Sequence, residues 1–336
     1  MEIETFPDYL PRLPSDQPGM YNGHGFREED VMGVWLEGKT LAEKIKEEVR
    51  QEVALVKESK GAVPGLVGIL VGENRSSQVY LKSKEKACQS LGIWSEIVTF
   101  PAGTSASELR AKIDELNKND RIDGILVQLP LPAGLNPHEV IAWIDPDKDV
   151  DGIHPYSLGL LLENQPGLRT CTPQGVIELL KFYQIPIAGK DVVVIGRSLI
   201  VGKPLAAMLT NENGTVTVCH SKTKDLAQVA ARADLLVAAM GKAAFVGPEF
   251  VKPGAVVVDV GINSVSDKAR VEEFFGQDPK RQKDLQEKGY TLMGDVDPRL
   301  IDKAGYLTPV PGGVGLLTIA MLMKNTLEAF KRRRKL

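Results

Sequence analysis

Short apolar runs alternate along this chain with stretches in which apolar positions recur every three or four residues, the pattern of buried strands followed by amphipathic helices. Leu41, Ile45, Val49, Val53 and Val56 mark one helical face, and the helix should end near Gly61 and Pro64. Residues 66–71 form a continuous apolar run that predicts a buried strand. A helix is predicted over 76–91, closed by Gly92, then a strand over 93–100, a helix opened by Ser105 or Ser107, and a strand over 122–128. Alternation of this kind gives a parallel sheet with helices on its faces.

A second block follows a loop-rich passage. Residues 145–152 (Asp-Pro-Asp-Lys-Asp-Val-Asp-Gly) are too charged and too broken by proline for a core element, so they predict a surface or cleft loop. A helix over 172–183 leads to strands over 192–195, 215–219, 234–240 and 255–262, with a short one before Pro309. Residues 264–289 are charged throughout and read as an insertion with its own short helix. The last helix, 316–331, presents Ile319, Ala320, Met323, Thr326 and Leu327 on one face and is free to pack back on the first block. The fold class is therefore α/β, with two α/β domains flanking a cleft, the second Rossmann-like. Residues 31–150 with 316–336 would make the first domain, 151–315 the second, and 1–30 a proline-punctuated, loosely attached extension.

Composition narrows the function. The chain has 336 residues, 43% of them apolar and 25% charged, as in a soluble globular protein, and its net charge of −3 offers no field for nucleic acid. The basic run 331–335 reads as the solvated end of a helix. Cys88, Cys171 and Cys219 lack paired spacing and suit reduced thiols in a cytoplasmic protein. The four histidines show no ligand spacing, so no metal is expected. No apolar stretch approaches a membrane span, and residues 1–30 lack a signal-peptide core.

The chemistry begins with the strand 192–195, which runs into Gly196-Arg197-Ser198-Leu199-Ile200-Val201-Gly202. A strand feeding a glycine turn and then a helix aims free backbone amides at a pyrophosphate. The spacing is one residue longer than the usual G-x-G-x-x-G, so the glycines alone are equally an ordinary tight turn. The next strand supplies the discriminating feature. Its end carries His220-Ser221-Lys222-Thr223, where an NAD site usually has Asp or Glu for the ribose hydroxyl. A hydroxyl, an ammonium and the Arg197 guanidinium suit a 2′-phosphate instead, which points to NADP.

On the helix 76–91, Tyr80, Lys84, Ala87, Cys88 and Leu91 share one face, opposite Lys82, Glu85, Lys86 and Gln89. A lysine is seldom placed on a burying face without a partner. Taking an ammonium out of water favours the neutral, proton-accepting form. The bland alternative is a stem that packs while its head reaches water. Gln128 ends an apolar strand and Asp151 lies in the acid loop. Both belong near the carboxyl edge of a parallel sheet, where such folds bind ligands.

These segments resemble the methylenetetrahydrofolate dehydrogenase/methenyltetrahydrofolate cyclohydrolase family. The likeness runs in order through Tyr80-Leu81-Lys82-Ser83-Lys84, Gly124-Ile125-Leu126-Val127-Gln128-Leu129-Pro130-Leu131-Pro132, Pro146-Asp147-Lys148-Asp149-Val150-Asp151-Gly152, the glycine turn, residues 220–223, Asp259-Val260-Gly261-Ile262-Asn263, Gly294-Asp295-Val296 and residues 308–315. The resemblance implies oxidation of 5,10-methylenetetrahydrofolate with NADP and hydrolysis of the methenyl product at one shared folate site, in a homodimer. It makes Lys84 the catalytic lysine, supported by Gln128, with Tyr80 stacked on the folate's aminobenzoyl ring and Asp151 on the pterin. It assigns Arg197 and Ser221 to the 2′-phosphate. Gly196, Ser198, Val201, Gly202, His220, Lys222, Thr223 and Ile262 then complete the cofactor set, and Pro309, Gly312 and Gly313 face the folate. A monofunctional NAD-using dehydrogenase of this fold is the alternative, which Arg197 and Ser221 oppose. A folate-binding module without catalysis is the reading from another class. The chain departs from the family at Leu316-Leu317-Thr318, where Pro-Met-Thr is usual, and in the segment 264–289.

Overall fold

A computed structural model describes residues 33–336 of the protein, so the extension proposed for 1–30 lies outside the described residues. The chain enters through a two-residue strand, β1 (Val34–Trp35), and the long helix α1 (Lys39–Lys60). Then come β2 (Gly65–Val71), α2 (Arg75–Leu91), β3 (Trp94–Phe100), α3 (Ala106–Lys118), β4 (Gly124–Val127) and the short α4 (Pro137–Ala142). Strands β3, β2 and β4 form a parallel sheet in that order. Every residue of β2 and β4 is buried, as continuous apolar runs require when helices cover both faces.

Two helices, α5 (Pro155–Leu162) and α6 (Cys171–Phe182), bridge to the second lobe. There β5 (Asp191–Ile195), α7 (Gly202–Asn211), β6 (Thr215–Cys219), α8 (Leu226–Ala230), β7 (Leu235–Ala238) and β8 (Val256–Asp259) alternate as expected. The segment expected to hold one short helix holds two, α9 (Lys268–Phe275) and α10 (Pro279–Lys288), framed by the antiparallel pair β9 (Asn263–Val265) and β10 (Thr291–Met293). Strand β11 (Tyr306–Leu307) and helix α11 (Val314–Arg334) end the chain. The second sheet is parallel, in the order β1-β11-β8-β7-β5-β6. Its edge strand β1 comes from residues assigned by sequence to the first domain: Val34 and Trp35 pair with Tyr306 and Leu307.

One apolar cluster runs through both lobes. It joins Leu41, Ile45 and Val49 of α1, Leu66 and Leu70 of β2, Val176 and Leu180 of α6, Val192 and Val194 of β5, and Leu317, Met321 and Leu322 of α11. Helix α11 therefore does return to the first block, and it also lies along α6. The two helices cross closely at Gly175, where an added Cβ would come within 2.8 Å of the Leu317 Cβ. The helix starts at Val314 without the family's proline, and Leu316 stays exposed. Its basic end is more than solvated. Arg333 and Arg334 both reach the fully buried carboxylate of Asp123, and Lys331 reaches Glu52. No helix among the described residues is long and apolar enough to cross a membrane.

Candidate active site

Helix α2 begins at Asn74, whose side chain accepts the Ser77 amide at 3.0 Å, and the burying face predicted for it is real but divided along its length. Toward the carboxyl end Ala87, Cys88 and Leu91 enter the core, with Cys88 Sγ 3.6 Å from Met323 Sδ. Toward the amino end the same face is open to solvent. There Tyr80 is 42% exposed and Lys84 half-buried, so the lysine is less dry than its face predicted. Its partner is the predicted one: Lys84 Nζ donates to Gln128 Oε1 at 3.0 Å. The amide of Gln128, one residue past β4, donates through Nε2 to the Leu129 carbonyl at 2.9 Å. That second bond turns the acceptor oxygen toward the lysine. Burial pushes the Asp151 carboxyl up, and the nearby Lys84 ammonium pulls it back down. Lys84 and Gln128 are therefore bonded, and Asp151 lies near enough to feel the charge of Lys84.

The loop carrying Asp151 departs in part from the expectation of a surface or cleft segment: Asp147 is exposed and Asp145, Pro146 and Asp151 are half-buried, but Lys148, Asp149 and Val150 are all fully buried. Lys148 Nζ donates to the carbonyls of Leu116 (2.9 Å), Asn117 (2.7 Å) and Asn119 (2.9 Å), closing the end of α3. Cations suit this position, where unpaired carbonyls collect. Asp149 Oδ2 accepts the His154 amide at 2.7 Å and the Ser157 hydroxyl at 3.0 Å, while its Oδ1 has no partner among the described residues. Burial first, and the Asp151 charge after it, push the Asp149 carboxyl up to about 7, against those two hydrogen bonds. The folded chain therefore keeps this proton to higher pH than the unfolded chain does. The stability it contributes is complete below the ordinary carboxylate range and is lost as pH rises through about 7. The melting temperature of wild type minus that of Asp149→Asn is accordingly expected to fall between about pH 4 and pH 8. A flat difference would refute the assignment.

At the second lobe, parallel pairing of Ile195 with Cys219 sets the glycine turn beside the turn after β6, and Gly196 N donates to Cys219 O at 2.9 Å. Gly196 has φ +136°, and a Cβ there would lie 2.2 Å from the Ala239 carbonyl oxygen. A Cβ on Gly202 would lie 2.1 Å from the Gly196 oxygen. Only glycine permits so tight a turn. Ser198 Oγ accepts the amides of Val201 and Gly202 at 3.2 and 3.3 Å, so this hydroxyl shapes the start of α7. The His220 amide donates to Thr223 Oγ1 at 2.9 Å, and Lys222 N to His220 Nδ1 at 3.1 Å, leaving Ser221, Lys222 and Arg197 exposed at one edge. This donor set, with no carboxylate in residues 220–223, fits a phosphorylated ribose.

Between the lobes, Ile262 follows β8, and its Cδ1 would lie 3.1 Å from a Cβ placed on Gly315. Pro309, Gly312 and Gly313 form the loop into α11, held by bonds from Gly313 N to Pro309 O (2.9 Å) and from Gly38 N to Gly312 O (2.8 Å). Sequence reasoning did not single out Asp295 or Asp259 as supports. Asp295 accepts the amides of Met240, Gly241 and Lys242 at 2.6–2.9 Å, and Asn263 Nδ2 at 2.9 Å. Asp259 accepts the amides of Gly261, Asp295 and Val296, each at 2.9 Å. Together they tie the loops after β7 and β8 to the turn 294–296.

Comparison with known proteins adds to this geometry. Residues 36–151 match the tetrahydrofolate dehydrogenase/cyclohydrolase catalytic domain, and residues 170–334 match the NAD(P)-binding domain of the same family. The bifunctional protein FolD of Koribacter versatilis is 51% identical over 304 residues, covering 90% of this chain and 99% of that protein. Among solved structures, the bifunctional FolD methylenetetrahydrofolate dehydrogenase/cyclohydrolase of Campylobacter jejuni superposes with a TM-score of 0.80 at 44% identity, over 89% of this chain and 99% of that one. The corresponding enzyme of Trypanosoma brucei, solved with NADP cofactor and inhibitor, gives 0.81 at 37% identity, over 90% and 99% of the two chains.

Proposed function

The chain belongs to the tetrahydrofolate dehydrogenase/cyclohydrolase family, and we propose that Lys84, held by Gln128 beside Asp151, is the group on which its second reaction depends. The enzyme oxidises 5,10-methylenetetrahydrofolate with NADP and hydrolyses the methenyl product to 10-formyltetrahydrofolate. The observation that carries the residue assignment is the 3.0 Å bond from Lys84 Nζ to Gln128 Oε1 at the edge of the cleft.

NADP, when bound, supplies the acceptor for the hydride leaving the methylene carbon. The adjacent folate nitrogen releases its lone pair into the forming double bond, so this step asks the protein for alignment alone. Tyr80 offers an aromatic face to the planar folate, Asp151 a carboxyl to its pterin, and Pro309, Gly312 and Gly313 a backbone wall. Hydrolysis asks for more. Water adds to the cationic methenyl carbon, that water's proton must leave, and the ring must open at one nitrogen. Lys84 Nζ, anchored through one hydrogen to Gln128, can relay one of the water's protons to the departing nitrogen, while the other passes to solvent.

Gly196, Ser198, Val201 and Gly202 form the turn for the pyrophosphate, Arg197, Ser221 and Lys222 hold the 2′-phosphate, and His220, Thr223 and Ile262 line the rest of the cofactor's path. The three cysteines are buried and free, which agrees with a cytoplasmic enzyme. A homodimer, with folates that carry one or several glutamates as substrates, completes the proposal. The test is a continuous assay with methylenetetrahydrofolate and either NADP or NAD. Methenyl absorbance should rise and then decay, and the rise should be at least about tenfold more efficient with NADP, the factor expected for one charge-assisted contact. A rise without decay would remove the hydrolytic role, and equal use of both cofactors would remove the 2′-phosphate assignment.

A further inference from the structure

The segment between β9 and β10 looks at first like surface decoration, since α10 buries none of its residues. One of its side chains nevertheless runs inward. Arg281 stacks its guanidinium on the Phe275 ring at 4.1 Å and donates through Nη1 to the Leu292 carbonyl. Through Nη2 it donates to the Val310 carbonyl at 2.6 Å. Val310 lies in the proline–glycine loop that walls the folate side of the cleft. A cavity of about 100 Å3 lies against that loop, lined by Trp35, Phe275, Arg281, Thr308, Pro309 and Pro311 among others. Close packing therefore does not hold the loop on that side, and a directed bond carries more of the task. The same segment ends at Tyr290, which is exposed and lies near enough to Tyr80 for its phenol to add to the upward push that burial gives the Tyr80 phenol. The segment thus stands near Tyr80 as well as bonding to the loop 309–313.

We infer that the insertion braces the folate site, with Arg281 as the positioning residue that holds the loop 309–313 in its binding shape through Val310. Its fork spans two carbonyls, one on β10 and one on the loop, which a lysine's single ammonium cannot match. The inference rests on the functional reading above, in that it takes 309–313 to be a folate wall.

The test uses the full chain. In Arg281→Met, amide hydrogen exchange over 310–315 should rise, the KM for methylenetetrahydrofolate should increase about tenfold, and the KM for NADP should stay within about twofold, the signature of lost substrate binding. Arg281→Lys should fall between wild type and Arg281→Met. Should Arg281→Met fail to fold, excision decides. Val265 pairs with Thr291, so replacing 266–290 by Asn-Gly closes β9 and β10 as a hairpin and removes the brace whole. That variant should show the same exchange and the same folate-specific rise in KM. Unchanged loop exchange, or KM values for folate and NADP that climb together, would overturn the brace. Absence of methenyl formation in wild type would overturn the functional reading alone, because exchange reports on the loop without turnover.

Discussion

Lys84→Met is expected to lower hydrolysis of the methenyl intermediate by about 100-fold or more, the range over which a positioned proton-transfer group acts, while oxidation of the methylene substrate persists. Methionine keeps the unbranched stem that lies along α2 and removes only the nitrogen, so packing of the half-buried side chain should change little. The two reactions differ in what they ask of that nitrogen. Loss of a hydride is driven from within the folate, whereas addition of water leaves a proton that must go somewhere. The variant should therefore accumulate methenyltetrahydrofolate, seen as absorbance that rises and fails to decay. Equal loss of both activities in a folded variant would show that Lys84 serves binding or alignment instead. Gln128 supplies the logic for a companion effect: its amide is turned by the Leu129 carbonyl so that oxygen faces the amine.

The second large effect concerns stability. Asp295→Ala should destabilise the fold by about 3–5 kcal/mol, because it strands several buried donors at once and each costs about 1–3 kcal/mol without adding fully. The carboxylate is fully buried and accepts three consecutive amides from residues 240–242 together with the Asn263 side chain. No neighbour can replace an anion that meets four donors, and water would have to enter a closed turn. Asp295→Asn should recover only part of the loss, since its amide nitrogen offers a donor to groups that are already donors. Denaturant midpoints of the three proteins check this, and a loss below about 1 kcal/mol would mean that the donors find other acceptors. Because the tied loops leave β7 and β8 at the carboxyl edge of the sheet, the damage should extend to NADP affinity.

Much of this molecule could be read from its residues. The period-four face of α2 located Lys84 and Tyr80 together, and the apolar runs of β2, β4 and β5 placed Gln128 and the glycine turn at strand ends. The reading failed where a side chain answers to backbone. A lysine that caps α3 looks in sequence like any lysine in a charged loop, and the carbonyls of Leu116, Asn117 and Asn119 that bury it have no letter of their own. Asp259, Asp295 and Arg281 were missed for the same reason, their partners being amides and carbonyls distant in the chain. Strand β1 has two residues, too few to show a period. Helix α5 (Pro-Tyr-Ser-Leu-Gly-Leu-Leu-Leu) is nearly apolar all round and so lacks a polar face to reveal its pitch.

The apolar cluster shared by α1, α6, α11 and both sheets has a consequence for how such an enzyme can change over generations. Each half has a cluster of its own, but the largest one is shared between them. The opening strand completes the nucleotide lobe, and the closing helix completes the other, so exchange of one half between relatives would expose greasy surface on both. Novelty is easier to admit at the rim, between the paired strands β9 and β10, which close upon themselves.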